Sequence, residues 1–532
     1  MNSAIVLILV LISFALGYFI YLRLLIRKVF PLDFNRKTPA VEINDGLDYI
    51  PAKNWLILFG HHFASIAGAA PILGPVIAFS IWGWVPAILW IVLGSIFLGG
   101  VHDFSALYVS LRNKGVSVSE VGSSAVSPYT KYLYSGFILL TLILIIAVFE
   151  YFCAKTFVDK PEIVLPSLGL IPIAIIVGFL IYHLNFNTFF ATLLGLCGLG
   201  FLIYLGGYFP ITLPSGINNP INFWIILLMF YCIFAAVLPV NILLQPRDYL
   251  SSFLLFAGVG LGVLGIVVVH PPLVSSGYIG FFGKLGPLWP MLFVTIACGA
   301  ISGFHSLISS GTTSKQLSSE RYAGRIGYGA MLMEGLLATI ALIAVASLKP
   351  QVFRATLSSS SPVACFGKGY GILVSPFLKG HGAAFAVLIL NAFILTTLDT
   401  ATRISRYVGT ELFKFKGRII PTLIPVILAT LLALCGKWMN IWTIFGASNQ
   451  LIAGLALIVV SAWLVKNGRR ATFTLLPAVF MLVITIWALV YKLITFIRTK
   501  NLTLSIISVI LIILALAVVW SAKFVFVRRE NG

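Results

Sequence analysis

A chain of 532 residues that is 60% hydrophobic and 9% charged, with a mean hydropathy of +1.06, cannot clothe a soluble globule, whose composition is about a quarter charged. The net charge of +20 would suit a nucleic-acid partner in a soluble protein, but here the basic residues gather in short connections between apolar runs, where they orient a membrane protein. Six cysteines without CxxC spacing indicate neither a disulfide framework nor a structural zinc motif.

The first apolar run, 4–21, has no basic residue before it and no small-residue cleavage site, and Arg23, Arg27 and Lys28 follow at once. It reads as a retained span with the N-terminus outside. The charged connection 30–54 is placed in the cytoplasm. Spans then follow near 55–79, 84–109, 132–153, 169–184, 187–208, 221–244, 250–270, 287–308, 328–348, 381–402, 419–436, 441–465, 473–495 and 502–524. This makes an all-α polytopic membrane protein of about fifteen spans or more. An odd number puts the C-terminus inside, and most Lys and Arg then fall on the cytoplasmic side, as orientation requires.

Within the second span, GHHFASIAGAAPILGP (60–75) sets two histidines beside Gly68, Pro71, Gly74 and Pro75. Glycine and proline weaken or remove helical hydrogen bonds, so the backbone is expected to open here, which a bilayer tolerates only where the segment is buried or lines a cavity. Five spans later, 221–250 is interrupted at LPVNILLQPRDYL by Pro239, Asn241 and Pro246. Two broken helices running in opposite directions point to an inverted-repeat transporter with its site near the breaks. The expected organisation is an N-terminal span and loop (1–54), a transport core (55–402, halves 55–208 and 221–402) and a C-terminal scaffold (403–532) with few polar residues inside.

Intramembrane charges are costly, so each acid near an apolar run is informative: Asp103, Glu150, Asp248, Glu334 and Asp399. In 94–115, His102 lies on a narrow face of small and polar residues, with Asp103 beside it; a satisfied interface histidine and a gate are both open readings. Cys298, Ser302, His305, Ser309 and Thr312 recur at helical spacing on one face, flanked by Ser306, Ser310 and Thr313. That density of hydroxyls fits helix-packing glue, a hydrophilic pathway or a small-cation site. Asp399 and Arg403 stand i and i+4, the favourable order for an intrahelical pair. Arg247 beside Asp248 suits a carboxylate clamp, a gate or an orientation marker. Glu334 has no partner nearby in sequence and is a proton-carrier candidate.

Taken together, GHHFASIAGAAPILGP, GGVHDF, NILLQPRDYL, CGAISGFHSLISSGTTSKQ, IGYGAMLMEGLLA and LTTLDTATRISRY resemble the carbon starvation protein A family over residues 30–410. The resemblance implies a bacterial inner-membrane uptake carrier for peptides or, with protons, for pyruvate. It also implies a five-plus-five inverted-repeat core, in keeping with the broken helices.

The expected function is secondary active import of a small carboxylate or small peptide by alternating access. Substrate would meet His61, His62, Ser65, Gly68, Asn241, Ser302 and His305. Protons would couple through His62 or Glu334; alternatively sodium would be held by hydroxyls among Ser306, Ser309, Thr312 and Thr313. His102, Asp103, Arg247, Asp248, Asp399 and Arg403 would gate. No organic cofactor, resident metal or nucleic acid is expected; the partners are the substrate and the lipid bilayer, and the sequence does not set the oligomeric state. The rival reading is an intramembrane metal-dependent enzyme using His61, His62, His102, Asp103 and His305. Neither an HExxH zinc motif nor a Gly-x-Ser-x-Gly elbow supports it.

Overall fold

Long apolar runs leave the backbone no partner but itself inside a bilayer, so they fold as helices. The computed structural model describes residues 2–527 except 47, 48, 53, 183, 185, 215, 239–243, 416 and 437. The main helices are α1 (Ser3–Lys28), α2 (Trp55–Ile66), α3 (Ala70–Trp82), α4 (Trp84–Arg112), α5 (Pro128–Asp159), α6 (Pro161–Ile181), α7 (Thr188–Tyr208), α8 (Pro220–Val237) and α9 (Leu244–Val269). After them come α10 (Leu288–Thr295), α11 (Gly303–Gly311), α12 (Ala323–Ala346), α13 (Gly382–Phe413), α14 (Ile420–Leu434), α15 (Trp438–Lys466), α16 (Thr472–Arg498) and α17 (Leu502–Val527). Among the described residues, twelve helices are long and apolar enough to cross a membrane, and the bent pair α2–α3 makes a thirteenth span.

The first break falls where glycine and proline predict it. Asn54 caps α2, its Oδ1 accepting from the Leu56 amide at 3.0 Å. The helix ends at Ala67, which turns to ψ +62°, and α3 restarts with Pro71 in its first turn, 43° off the axis of α2.

The second break differs from expectation. Residues 239–243 lie outside the described residues, but the helices on either side, Pro220–Val237 and Pro246–Val269, are each long enough to cross alone. LPVNILLQPRDYL therefore joins two spans rather than interrupting one. The real break is inside the segment expected to be a span at 287–308: α10 stops at Thr295, α11 starts at Gly303, and the backbone between them is irregular. Few breakers mark it in sequence, since Gly299 and Gly303 also suit close helix packing. The expected span 419–436 is the 15-residue helix α14.

The two breaks meet. A Cβ on Gly74 of α3 would stand 2.7 Å from the Thr295 carbonyl oxygen at the end of α10, so only glycine allows this approach. Packing around the breaks is reciprocal: α3 lies on α12, the helix that follows the second break, and α11 lies on α4, the helix that follows the first. Helices α5 and α13 pack against each other along much of their length.

The C-terminal helices are not all peripheral scaffold. In α15, 94% of the apolar window is buried, against 28% in α17. Its polar residues serve the second break: Gln450 Nε2 donates to the Phe293 carbonyl at 2.6 Å, and the Trp90 indole and Ser95 hydroxyl of α4 donate to Ile296 and Gly299 at 3.0 and 3.2 Å. Unwound backbone survives in a membrane fold because such groups satisfy it.

Candidate functional site

Helix α4 carries one π-helical turn, Ser95–Gly99, just before His102 and Asp103. Tyr328 of α12 donates its hydroxyl to the Ile96 carbonyl in that turn at 2.9 Å. Such turns re-aim the side chains that follow them. Here Asp103 is turned into the protein with 0% exposure, where it gathers two histidines. His102 Nδ1 lies 2.7 Å from Asp103 Oδ1, and His305 Nδ1 of α11 lies 2.8 Å from Oδ2. An ionised carboxylate only accepts, so both imidazoles present Nδ1–H to it. His305 then turns Nε2 toward Glu334 of α12, 3.2 Å from Oε2. The chain His102–Asp103–His305–Glu334 thus joins both halves of the reciprocal packing, with every member fully buried.

Glu334, with no partner nearby in sequence, finds one in His305 across the helix packing. Arg112 does not reach Asp103; it pairs with Glu320 at 2.9 Å near the helix end.

Hydroxyls on and around α11 are divided. Ser306 and Thr312 donate to the carbonyls of Gly303 and Ile308, at 2.7 and 3.0 Å. Thr313 Oγ1 meets His62 Nδ1 at 2.7 Å and so ties the first broken helix to the segment after the second. Ser309 is buried. Cys298 and Ser302 belong to the break, not to the helical face predicted for them, yet their side chains remain 3.4 Å apart. Asn449 of α15 organises this point: its Oδ1 accepts from the Phe304 amide at 3.0 Å, capping α11, and its Nδ2 donates to Ser302 Oγ at 3.0 Å. Sequence reasoning missed Asn449; the signal was the polar pair Asn449–Gln450 within an otherwise apolar run.

A cavity of about 10 Å³, enough for roughly one water molecule, lies where the breaks meet. Ile66, Gly68, Ala70, Cys298, Thr397 and Asn449 are on its wall. Gly68 allows a close approach here: a Cβ would stand 2.6 Å from Thr397 Oγ1, which would have to turn away. Ser65 is spent locally, donating to the His61 carbonyl at 2.8 Å. Asn241 lies outside the described residues.

A second cluster forms where α9 begins. Arg247 pairs with Asp399 of α13 and with the Tyr231 hydroxyl of α8, all through Nη1. The expected Asp399–Arg403 pair does not form: a cross-helix guanidinium takes the carboxylate, while Arg403 donates to the Ala235 and Leu238 carbonyls at 2.8 Å and Arg406 to Ala236 at 2.7 Å. Both thereby close the C-terminal end of α8. Among the described residues, Nε and Nη2 of Arg247 have no hydrogen-bond partner, although its side chain is 1% exposed. The neighbouring Asp248 is buried too, with His61 Nδ1 at 3.6 Å from its Oδ2.

Two helices broken at one point, with ionisable groups buried around them inside a dozen or more apolar spans, define a polytopic membrane transporter rather than an enzyme. Comparison with known proteins agrees. The chain belongs to the carbon starvation protein CstA family, matched over residues 2–370 and 357–488. It is 33% identical to the peptide transporter CstA of Campylobacter jejuni, over 90% of this chain and 78% of that one. It is likewise 33% identical to the pyruvate/proton symporter BtsT of Escherichia coli, over 90% and 80%. A manganese transporter of Eremococcus coleocola, 11% identical, shares the fold with a TM-score of 0.54 over 92% of this chain and 99% of that one.

Proposed function

We propose that the protein imports a small monocarboxylate of the pyruvate kind together with protons, across a bacterial inner membrane, with its N-terminus outside and C-terminus inside. The observation that carries the substrate reading is Arg247. Its Nη1 is engaged by Asp399, and its Nε–Nη2 edge is the planar fork that a carboxylate fills with two parallel bonds. The half-helix N-termini of α3 and α11 at the breaks carry partial positive charge, which suits an anion. A relative named as a pyruvate/proton symporter supports both substrate and ion.

Reciprocal packing supports halves that open at the broken helices α2–α3 and α10–α11, running about 55–269 and 288–466, in place of those expected from sequence. Rocking of these halves about the breaks would open the small cavity alternately to either side. Protons would move on the chain Asp103–His305–Glu334, whose members sit on α4, α11 and α12, elements drawn from both halves.

One observation favours a second reading, a small peptide. Asp248 adjoins Arg247 and is buried, so the pair offers an acid for an amine beside a base for a carboxylate. Several relatives are named peptide transporters.

Calorimetry on the purified protein tests the assignment. Pyruvate is expected to bind, and Arg247→Lys to weaken it by about 10- to 100-fold, because lysine keeps a charge for Asp399 but has no second edge. Unchanged affinity in the variant would remove Arg247 from the site. Binding of a dipeptide alone, weakened by Asp248→Asn, would replace the monocarboxylate by a peptide.

A further inference from the structure

The carrier reading uses the carboxylate of Glu334 and the outer nitrogen of His305, but leaves one neighbour without a role. Cys298 brings its sulfur to the same point: one ligand atom each from Cys298, His305 and Glu334 lie within 4.8 Å of one another, and all three residues are buried. His305 Nε2 and Glu334 Oε2 face each other at 3.2 Å, and neither they nor Glu334 Oε1 has a hydrogen-bond partner beyond that contact among the described residues, so three buried polar atoms stand together beside the sulfur. We infer that Cys298, His305 and Glu334 form a binding site for a single zinc-class divalent cation, entered from the cavity at the breaks.

Donor chemistry selects the ion. A thiolate, an imidazole and a carboxylate suit Zn²⁺ or Co²⁺, whereas Mg²⁺ and Ca²⁺ take oxygen donors and keep water. Zinc bonds of about 2.0–2.3 Å set tetrahedral ligands roughly 3.3–3.7 Å apart, so side-chain shifts of about 1 Å close the site. Asp103 supplies the support that metal-bound histidines ordinarily have: its carboxylate, 2.8 Å from Nδ1, holds the ring so that Nε2 offers its lone pair toward the site. Access exists because Cys298 is on the cavity wall and is 7% exposed. A fourth position toward the cavity is left for water, as in metal sites that are not purely structural. No CxxC or HExxH spacing announces the site, since its ligands come from the second break, α11 and α12.

A bound ion would occupy His305 Nε2 and the Glu334 carboxylate, the groups on which the proposed protons move, and so would arrest coupled uptake. Arrest of uptake by the ion rests on the carrier reading; the site itself does not.

The test uses the detergent-purified full chain, stripped of metal, titrated with Co²⁺. One Co²⁺ per chain is expected, with a thiolate-to-cobalt absorption band that Zn²⁺ abolishes and Mg²⁺ at equal concentration leaves intact. Cys298→Ser should remove the band, and Asp103→Asn should weaken Co²⁺ binding by about 10- to 100-fold. Alkylation of the wild type, read by mass spectrometry, keeps the test valid if a variant fails to fold: Zn²⁺ should protect Cys298 while the exposed Cys197 and Cys435 react unchanged. No stoichiometric binding, a band indifferent to Cys298→Ser, or Cys298 alkylated equally with and without Zn²⁺ would overturn the site. Zn²⁺ that binds as described yet leaves uptake unaltered would overturn the arrest alone.

Discussion

At the scale of single residues, the chemistry turns on how buried charges are shared. Asp103 is flanked by two imidazoles, and Arg247 divides its donors between Asp399 and a free edge. Removing one partner of a buried pair leaves the other uncompensated, at a cost of about 3–5 kcal/mol, so variants that keep the shape are the informative ones. Glu334→Gln retains the volume and a hydrogen-bonding group opposite His305 but cannot exchange a proton. It is expected to abolish concentrative uptake while substrate counterflow persists. Accumulation at the wild-type level in that variant would remove Glu334 from coupling. The individual residues were legible in sequence because acids and histidines are scarce in apolar runs. Their partners were not: the i,i+4 rule named Arg403 for Asp399, and only the packing of α9 on α13 brings Arg247 there instead.

At the scale of elements, two breaks are held against each other by glycine. The first was legible because Gly68, Pro71 and Gly74 are helix breakers within twelve residues of His62. The second was hidden, because Cys298 to Thr312 keeps a helical period while the chain unwinds through its first part. What allows the unwinding is distant: Asn449 and Gln450 of α15 take up the backbone groups that the break frees. Gly74→Val is expected to cost about 1–3 kcal/mol, since the clash is with the Thr295 carbonyl, which is backbone and cannot rotate away. Gly136→Ala, with nothing within 4 Å of the added Cβ, should leave the midpoint unchanged or raise it slightly, since alanine is the better helix former. Thermal unfolding of the two variants in the same detergent checks this. Equal midpoints would mean that the breaks are not locked together by contact.

At the scale of the whole molecule, composition and hydropathy gave the class and nearly all the spans, while the pairing of halves needed three dimensions. Five spans separate the expected breaks at 55–79 and 221–250; the helices α6 and α7, packed on each other, stand between α5 and the rest of the first half and displaced that count. The molecule then has a buried centre of α5, α12, α13 and α15 and a lipid-facing periphery that includes α1, α7 and α17. Rigid halves meeting at two breaks suit a carrier that opens to one side at a time.

The most direct test of the central claim is uptake of labelled pyruvate into proteoliposomes holding the purified protein, under an inward proton gradient, an inward sodium gradient or neither, with a labelled dipeptide measured alongside. Proton-driven accumulation of pyruvate that collapses with a protonophore, with no response to sodium, is the expected result. Accumulation driven by sodium alone, accumulation of the dipeptide alone, or no accumulation by folded protein under either gradient would contradict it.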